Sequence, residues 1–147
     1  MSTSRRKFIV MTGAASLVPW LSVQATESEA AQAIKQIVGS SKIRTGRVEL
    51  EIPPLVENGN SVVMKVSVES PMTENDFVRA IHVVAEGNPL PNVASFQLSH
   101  RAGRAVVTTR IRLNDSQRVW AIAQMSDGSF WQGYAATLVT LAACTEV

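Results

Sequence analysis

Seven short stretches of this chain read as strands, four of them alternating apolar and polar side chains with a period of two, and turn signals separate them about every eight to twelve residues. A helix cannot bury such a pattern on one side; a half-exposed strand does so at every second residue. Arg47 to Ile52 sets Val48, Leu50 and Ile52 between charged residues and stops at Pro53-Pro54. After the turn Glu57-Asn-Gly-Asn60, Ser61 to Glu69 places Val62, Met64, Val66 and Val68 on one face. Phe77 to Ala85 carries Ala80-Ile-His-Val-Val84, and Gly87-Asn-Pro-Leu-Pro-Asn92 turns the chain. Val93 to Ser99 alternates Ala94, Phe96 and Leu98. Arg104 to Leu113 sets Val107, Thr109, Ile111 and Leu113 against Arg104, Arg110 and Arg112. Arg118 to Met125 and Phe130 to Leu141 complete the set, divided by Ser126-Asp-Gly-Ser129. The expectation is an all-β, antiparallel β-sandwich of about seven strands.

Only the beginning departs from that pattern. Thr26-Glu-Ser-Glu29 reads as a capping box, and Ala30 to Val38 is rich in helix formers before Gly39. One short N-terminal helix follows, with Ile34, Ile37 and Val38 on its apolar side, and Ser40 to Gly46 reads as a loop. Residues 1–25 read as an export signal: Arg5-Arg6-Lys7 is its charged region, Phe8 to Val18 a short apolar run, and Val23-Gln-Ala25 a cleavage site. Ser4-Arg-Arg-Lys-Phe-Ile9 is a twin-arginine pattern, which places the protein in the periplasm. The apolar run is too short to be a membrane anchor.

Setting that segment aside reverses the charge. The whole sequence is +2, but Arg5, Arg6 and Lys7 are three of its 14 basic residues and none of its 12 acidic residues precedes Glu27. The chain from Thr26 on therefore carries 11 basic and 12 acidic side chains, net −1. A nucleic-acid binder would keep a basic excess, so that class drops out. About 120 residues suffice for one domain.

There is one cysteine, Cys144, and an oxidising compartment makes a lone thiol informative. It cannot close an internal disulfide. It can pair with another molecule or act as a reactive sulfur. His82 and His100 stand eighteen residues apart in no recognisable motif, so neither a metal site nor a cysteine–histidine pair is readable. No phosphate-binding loop, paired carboxylates or cofactor motif occurs either. The expectation is a chain that is not itself an enzyme and takes no cofactor or metal.

A carrier needs less. Residues 26–141 read as the domain and residues 142–147 as a flexible C-terminal arm: Ala142, Ala143, Cys144, Thr145, Glu146 and Val147. Ala142 and Ala143 suit a narrow channel, and truncation after Leu141 is expected to leave stability almost unchanged. From Gly87 on, Arg101, Arg104, Arg110, Arg112 and Arg118 outnumber Asp115, Asp127 and Glu146, which favours an anionic load. Glu146 and a terminal carboxylate oppose thiolate formation. Trp120, Trp131, Tyr134 and Leu138 suit either the core or an apolar face for a partner.

Across its length the chain resembles the SoxY-type sulfur carrier proteins of the bacterial sulfur-oxidising (Sox) system. The resemblance is carried by the twin-arginine segment, Leu50-Glu-Ile-Pro-Pro-Leu-Val-Glu-Asn-Gly-Asn60, Val66-Ser-Val-Glu-Ser-Pro-Met72, Ala80-Ile-His-Val83 and Pro91-Asn-Val93. Arg101-Ala-Gly-Arg104, Thr108-Thr-Arg-Ile-Arg-Leu113, Val119-Trp-Ala-Ile-Ala123, Met125-Ser-Asp-Gly-Ser-Phe-Trp131 and the Cys144 tail continue it. It implies an immunoglobulin-like sandwich paired with a SoxZ-like subunit in a heterodimer. It also implies that Cys144 covalently bears intermediates of thiosulfate oxidation, presented to Sox enzymes docking at the arm. The twin-arginine route, which exports folded proteins, suits a chain that carries its partner out with it. The family's tail reads Gly-Gly-Cys-Gly-Gly, whereas this one reads Ala142-Ala143-Cys144-Thr145-Glu146, stiffer and bulkier. The competing expectation is a non-catalytic sandwich whose cysteine only forms an intermolecular disulfide.

Overall fold

The computed structural model describes residues 25–143. Arg5, Arg6, Cys144, Thr145, Glu146 and Val147 therefore lie outside the described residues. A helix, α1 (Ala25–Val38), precedes nine strands: β1 (Ile43–Thr45), β2 (Val48–Glu51), β3 (Leu55–Val56), β4 (Val62–Val68), β5 (Val78–Ala85), β6 (Asn92–Gln97), β7 (Ala105–Ile111), β8 (Gln117–Met125) and β9 (Phe130–Val139). One sheet has the order β1-β9-β8-β5-β6, with β3 also on β9; the other has the order β2-β4-β7.

The seven expected strands are β2 and β4 to β9. Two more, β1 and β3, were not expected; both lie parallel to β9, at its two ends. β1 falls in the stretch read as the Ser40–Gly46 loop. A single turn of 3-10 helix, His100–Ala102, adds to the one expected helix. Because α1 already includes Ala25, Thr26 lies inside the helix rather than at its cap.

Alternation explains the layering. Val62, Met64, Val66 and Val68 of β4 are all buried, with Leu50, Ala105 and Ile111 beside them. From the larger sheet Val78, Ile81, Val83, Val119, Ala121, Ala123 and Met125 face them across the sandwich. Val78 and Ile81 could not both point inward along a regular strand. A register shift between Val78 and Ala80 reverses the parity, as a bulge does.

The larger sheet is covered on its other face as well. Ala30, Ala33, Ile34, Ile37 and Val38 of α1 pack on Val84, Ile122 and Phe130, with Ile43 and Trp120 alongside. The helix stops at Gly39, whose φ of 64° is left-handed and whose N–H returns to the Lys35 carbonyl at 2.8 Å. This cover reaches only part of β9. Tyr134 and Leu138, on the same side as Phe130, are 58% and 63% exposed.

At Gly133 β9 runs close against β2. A Cβ there would sit 2.2 Å from the Val48 carbonyl oxygen. Only glycine lets β9 pass β2 at that distance.

Candidate functional site

The last described residues are not free. Along β9 and beyond, the chain is bonded to segments far away in sequence. The Thr137 hydroxyl donates to the Pro53 carbonyl at 2.7 Å, Leu138 N–H to Pro54 and Thr140 N–H to Val56. Two further bonds hold the tail itself. Gly59 N–H donates to the Leu141 carbonyl at 2.8 Å, and Ala143 N–H donates to the Leu113 carbonyl at 3.2 Å. Leu113 N–H in turn donates to the Gly59 carbonyl at 2.8 Å. Gly59 and Leu113 thus form a bracket around the foot of the tail.

The bracket rests on a polar belt. The Asn88 amide donates to the Arg112 carbonyl at 2.8 Å, and its oxygen accepts from Asn114 N–H at 3.0 Å. The Gln117 amide donates to Asn88 at 3.0 Å and to the Asp115 carbonyl at 2.9 Å. The turn after β7 is fixed on both sides, and Leu113 within it is fully buried. On the Gly59 side, Asn60 N–H donates to the Asn58 side chain at 2.9 Å, tightening the turn expected there.

Ala142 is exposed, but Ala143 is only 8% exposed. The described chain is held through Ala143, whose methyl group is covered. Truncation after Leu141 would remove a backbone hydrogen bond and a buried methyl, so its cost is about 1 kcal/mol rather than nothing. The Cβ of Ala143 adds to the covered surface.

The five arginines do not gather at this site. Arg110 and Arg112 lie at the tail end of the sandwich, Arg110 donating to the Ser61 hydroxyl at 3.2 Å. Arg101 and Arg104 precede β7, at the opposite end. Arg118 pairs with Glu86 at 3.0 Å and lies over the Trp120 ring, 5.8 Å from its centroid. The sequence excess of arginine therefore becomes Arg110, Arg112 and the Glu86-paired Arg118 at the tail end, with Glu57 and Asp115 at the same end.

The histidines stand elsewhere. His82 lies in mid-strand on β5, its Nδ1 2.8 Å from the Ser95 hydroxyl, and burial lowers its pKa. His100 packs edge-on against Phe77, centroids 5.9 Å apart. Among the described residues no group of three or more His, Cys, Asp or Glu could hold a metal ion, and no helix is long and apolar enough to cross a membrane.

The aromatic residues divide between the two expected roles. Trp131 packs against the core, with the Arg44 and Arg47 guanidiniums 5.5 and 4.8 Å from its ring centroid. Trp120 borders the helix cluster and donates to Glu86 at 2.7 Å. Tyr134, 4.9 Å from the Trp120 ring, stays exposed, as does Leu138. Sequence reasoning missed Gly59, Leu113, Asn88 and Gln117 as positioning residues; the Asn58-Gly59 pair was legible only as a turn.

Comparison with known proteins agrees with this architecture. The family described as sulfur oxidation protein SoxY matches over residues 34–144. The sulfur carrier protein SoxY from Chlorobium limicola f thiosulfatophilum superposes with a TM-score of 0.65 at 24% identity, covering 78% of this chain and 98% of that one. A superoxide reductase (neelaredoxin) from Ignicoccus hospitalis gives 0.57 at 20% identity, covering 64% and 80%. A superoxide reductase from Nanoarchaeum equitans gives 0.55 at 13%, covering 65% and 99%. At these identities the structural likenesses speak for the fold alone. No curated protein sequence matches the chain significantly.

Proposed function

The chain belongs to the family of sulfur oxidation protein SoxY, and from that premise we propose that it is a periplasmic carrier bearing thiosulfate-derived intermediates on Cys144. The observation that carries the reading is what precedes the thiol: the family match runs to residue 144, and the bracket grips the residue just before the only cysteine. The residue that precedes the thiol is thus held at a defined place on the domain.

The chemistry asks little of the domain. Joining a thiol to the outer sulfur of thiosulfate makes one S–S bond and releases one proton and two electrons. Neither reactant is an oxidant, so the electrons pass to an acceptor on a partner protein. The carrier supplies the sulfur atom and its position, and Sox enzymes supply the reactions. A SoxZ-like subunit is the expected heterodimer partner.

Intact-mass analysis of protein taken directly from the periplasm tests the reading. Additions corresponding to sulfur, sulfonate or thiosulfonate groups, lost on reduction, are expected. A population consisting only of disulfide-linked homodimer would overturn it.

Export is proposed to follow the twin-arginine route. Replacing Arg5 and Arg6 together with lysine should leave the precursor in the cytoplasm; normal export of that variant would refute the route.

A further inference from the structure

We propose that β6, the last strand of the larger sheet, pairs edge to edge with β6 of a second copy of this chain. β6 is bonded to β5 on one side, and among the described residues no strand takes the other. The Leu98 N–H donates to the Arg79 carbonyl at 2.9 Å. By the alternation of an antiparallel ladder, Ala94 and Phe96 also turn their backbone groups toward β5, and Ser95 and Gln97 turn theirs outward. None of the residues of β6 is buried, although Val93, Ala94 and Phe96 pack on the core. The flank of the sandwich is open at this strand, in its backbone and its apolar side chains alike.

Exposed edges are ordinarily guarded by charge, by proline or by shortness. The other edges of this fold follow that rule. β2 carries Glu49 and Glu51, β7 carries Arg110, β1 carries Arg44, and β3 has only two residues. β6 reads Asn-Val-Ala-Ser-Phe-Gln, with no charge and no proline. Charge also chooses the occupant. A two-fold axis lays a strand against its own copy, which gathers like charges along a seam of β2 or β7 and none along β6. Centring the axis on Ser95 makes Ser95 and its copy a hydrogen-bonded pair and sets Gln97 beside Val93 of the second copy. On the core side it sets Ala94 against Phe96 of the second copy, a small residue opposite a large one, closing the open flank.

The pairing leaves the opposite edge clear. β5 and β8 separate β6 from β9, so the two β9 strands of the pair stand roughly 30 Å apart. Tyr134 and Leu138 stay uncovered, and the association is indifferent to reductant, unlike a disulfide between two copies of Cys144.

Sedimentation equilibrium of the full mature chain under reductant, together with whatever subunit accompanies it, tests the proposal. One strand pair is a small interface, so the mass is expected to double with a midpoint at roughly 100 µM. Ser95→Lys and Ser95→Glu each place like charges on the axis and should each weaken association about tenfold. Mixed in equal amounts, the two variants should associate as wild type does, because lysine then faces glutamate. A fold disturbed at Ser95, whose hydroxyl lies 2.8 Å from His82 Nδ1, would not be restored by mixing. Gln97→Pro removes one outward N–H and leaves the β5 ladder whole, so it should weaken association with Tm unchanged.

A wild-type chain that keeps its single mass up to about 1 mM would overturn the proposal. So would single variants that associate like wild type, or a mixture that does not. Loss of an accompanying subunit on Ser95→Lys would also overturn it, assigning the edge to that subunit. No readout depends on what Cys144 carries, so the carrier reading stands or falls separately.

Discussion

Cys144→Ser is expected to abolish sulfur-dependent activity of the whole pathway while leaving the domain as stable as wild type. Serine preserves the size of the side chain and removes the one atom able to form an S–S bond. No conservative replacement can supply that bond, so the loss should approach totality rather than a modest rate change. Stability should be indifferent, because the bonds that hold the tail come from the backbone of Leu141 and Ala143. The measurements are thiosulfate-dependent turnover in the host, intact mass of the recovered protein and thermal unfolding. The variant should show no adduct and an unchanged Tm. A serine variant that supports full turnover would end the carrier reading, whatever the chain's family. A second arm uses pH. Glu146 stands two residues after Cys144 in the sequence, where a carboxylate is expected to oppose thiolate formation. Labelling of wild type should therefore rise more steeply with pH than that of Glu146→Gln, which should label faster near neutrality.

The sandwich was legible in the sequence because each of its seven longer strands has a face to bury. β4 shows this most plainly: its four inward residues are all apolar, and Lys65 and Ser67 alternate with them. β1 and β3 were not legible for the converse reason. Three and two residues carry no period, and both strands exist because β9 offers them an open edge. The pairing partner, not the local sequence, decides such elements.

The hold on Ala143 was not legible for a related reason. Small residues after the last strand suggested an arm beginning at Ala142. What holds Ala143 is the carbonyl of Leu113, thirty residues earlier, in a turn fixed by Asn88. Contacts that distant leave no trace in local composition. The arginines failed in the opposite direction, since density along the chain did not become density in space. β7 separates Arg104 from Arg112, and seven extended residues span roughly 20 Å.

Gly59→Ala should have the largest effect on the fold's hold over the tail. The glycine is there for room: a Cβ would lie 2.2 Å from the Leu113 carbonyl oxygen, 3.0 Å from Ala143 N and 3.1 Å from a Val139 methyl. Two of these neighbours are backbone atoms and cannot rotate away. Leu113 is buried and its turn is fixed by Asn88 and Gln117, so the Gly59 loop or the tail must yield. Either movement breaks bonds among Gly59, Leu113, Leu141 and Ala143. Overpacking of this kind costs about 1–3 kcal/mol, a Tm loss on the order of 5–10 °C for a domain this size. With the bracket open, the next hold on the chain is Thr140, bonded to Val56 and Glu57. Residues 141–143 then come free, roughly 10 Å of extended chain. Amide exchange at Leu113 and Ala143 should accelerate well beyond exchange in β4, which the substitution does not touch. An unchanged Tm with Ala143 still protected would show that the bracket does not set where the arm begins.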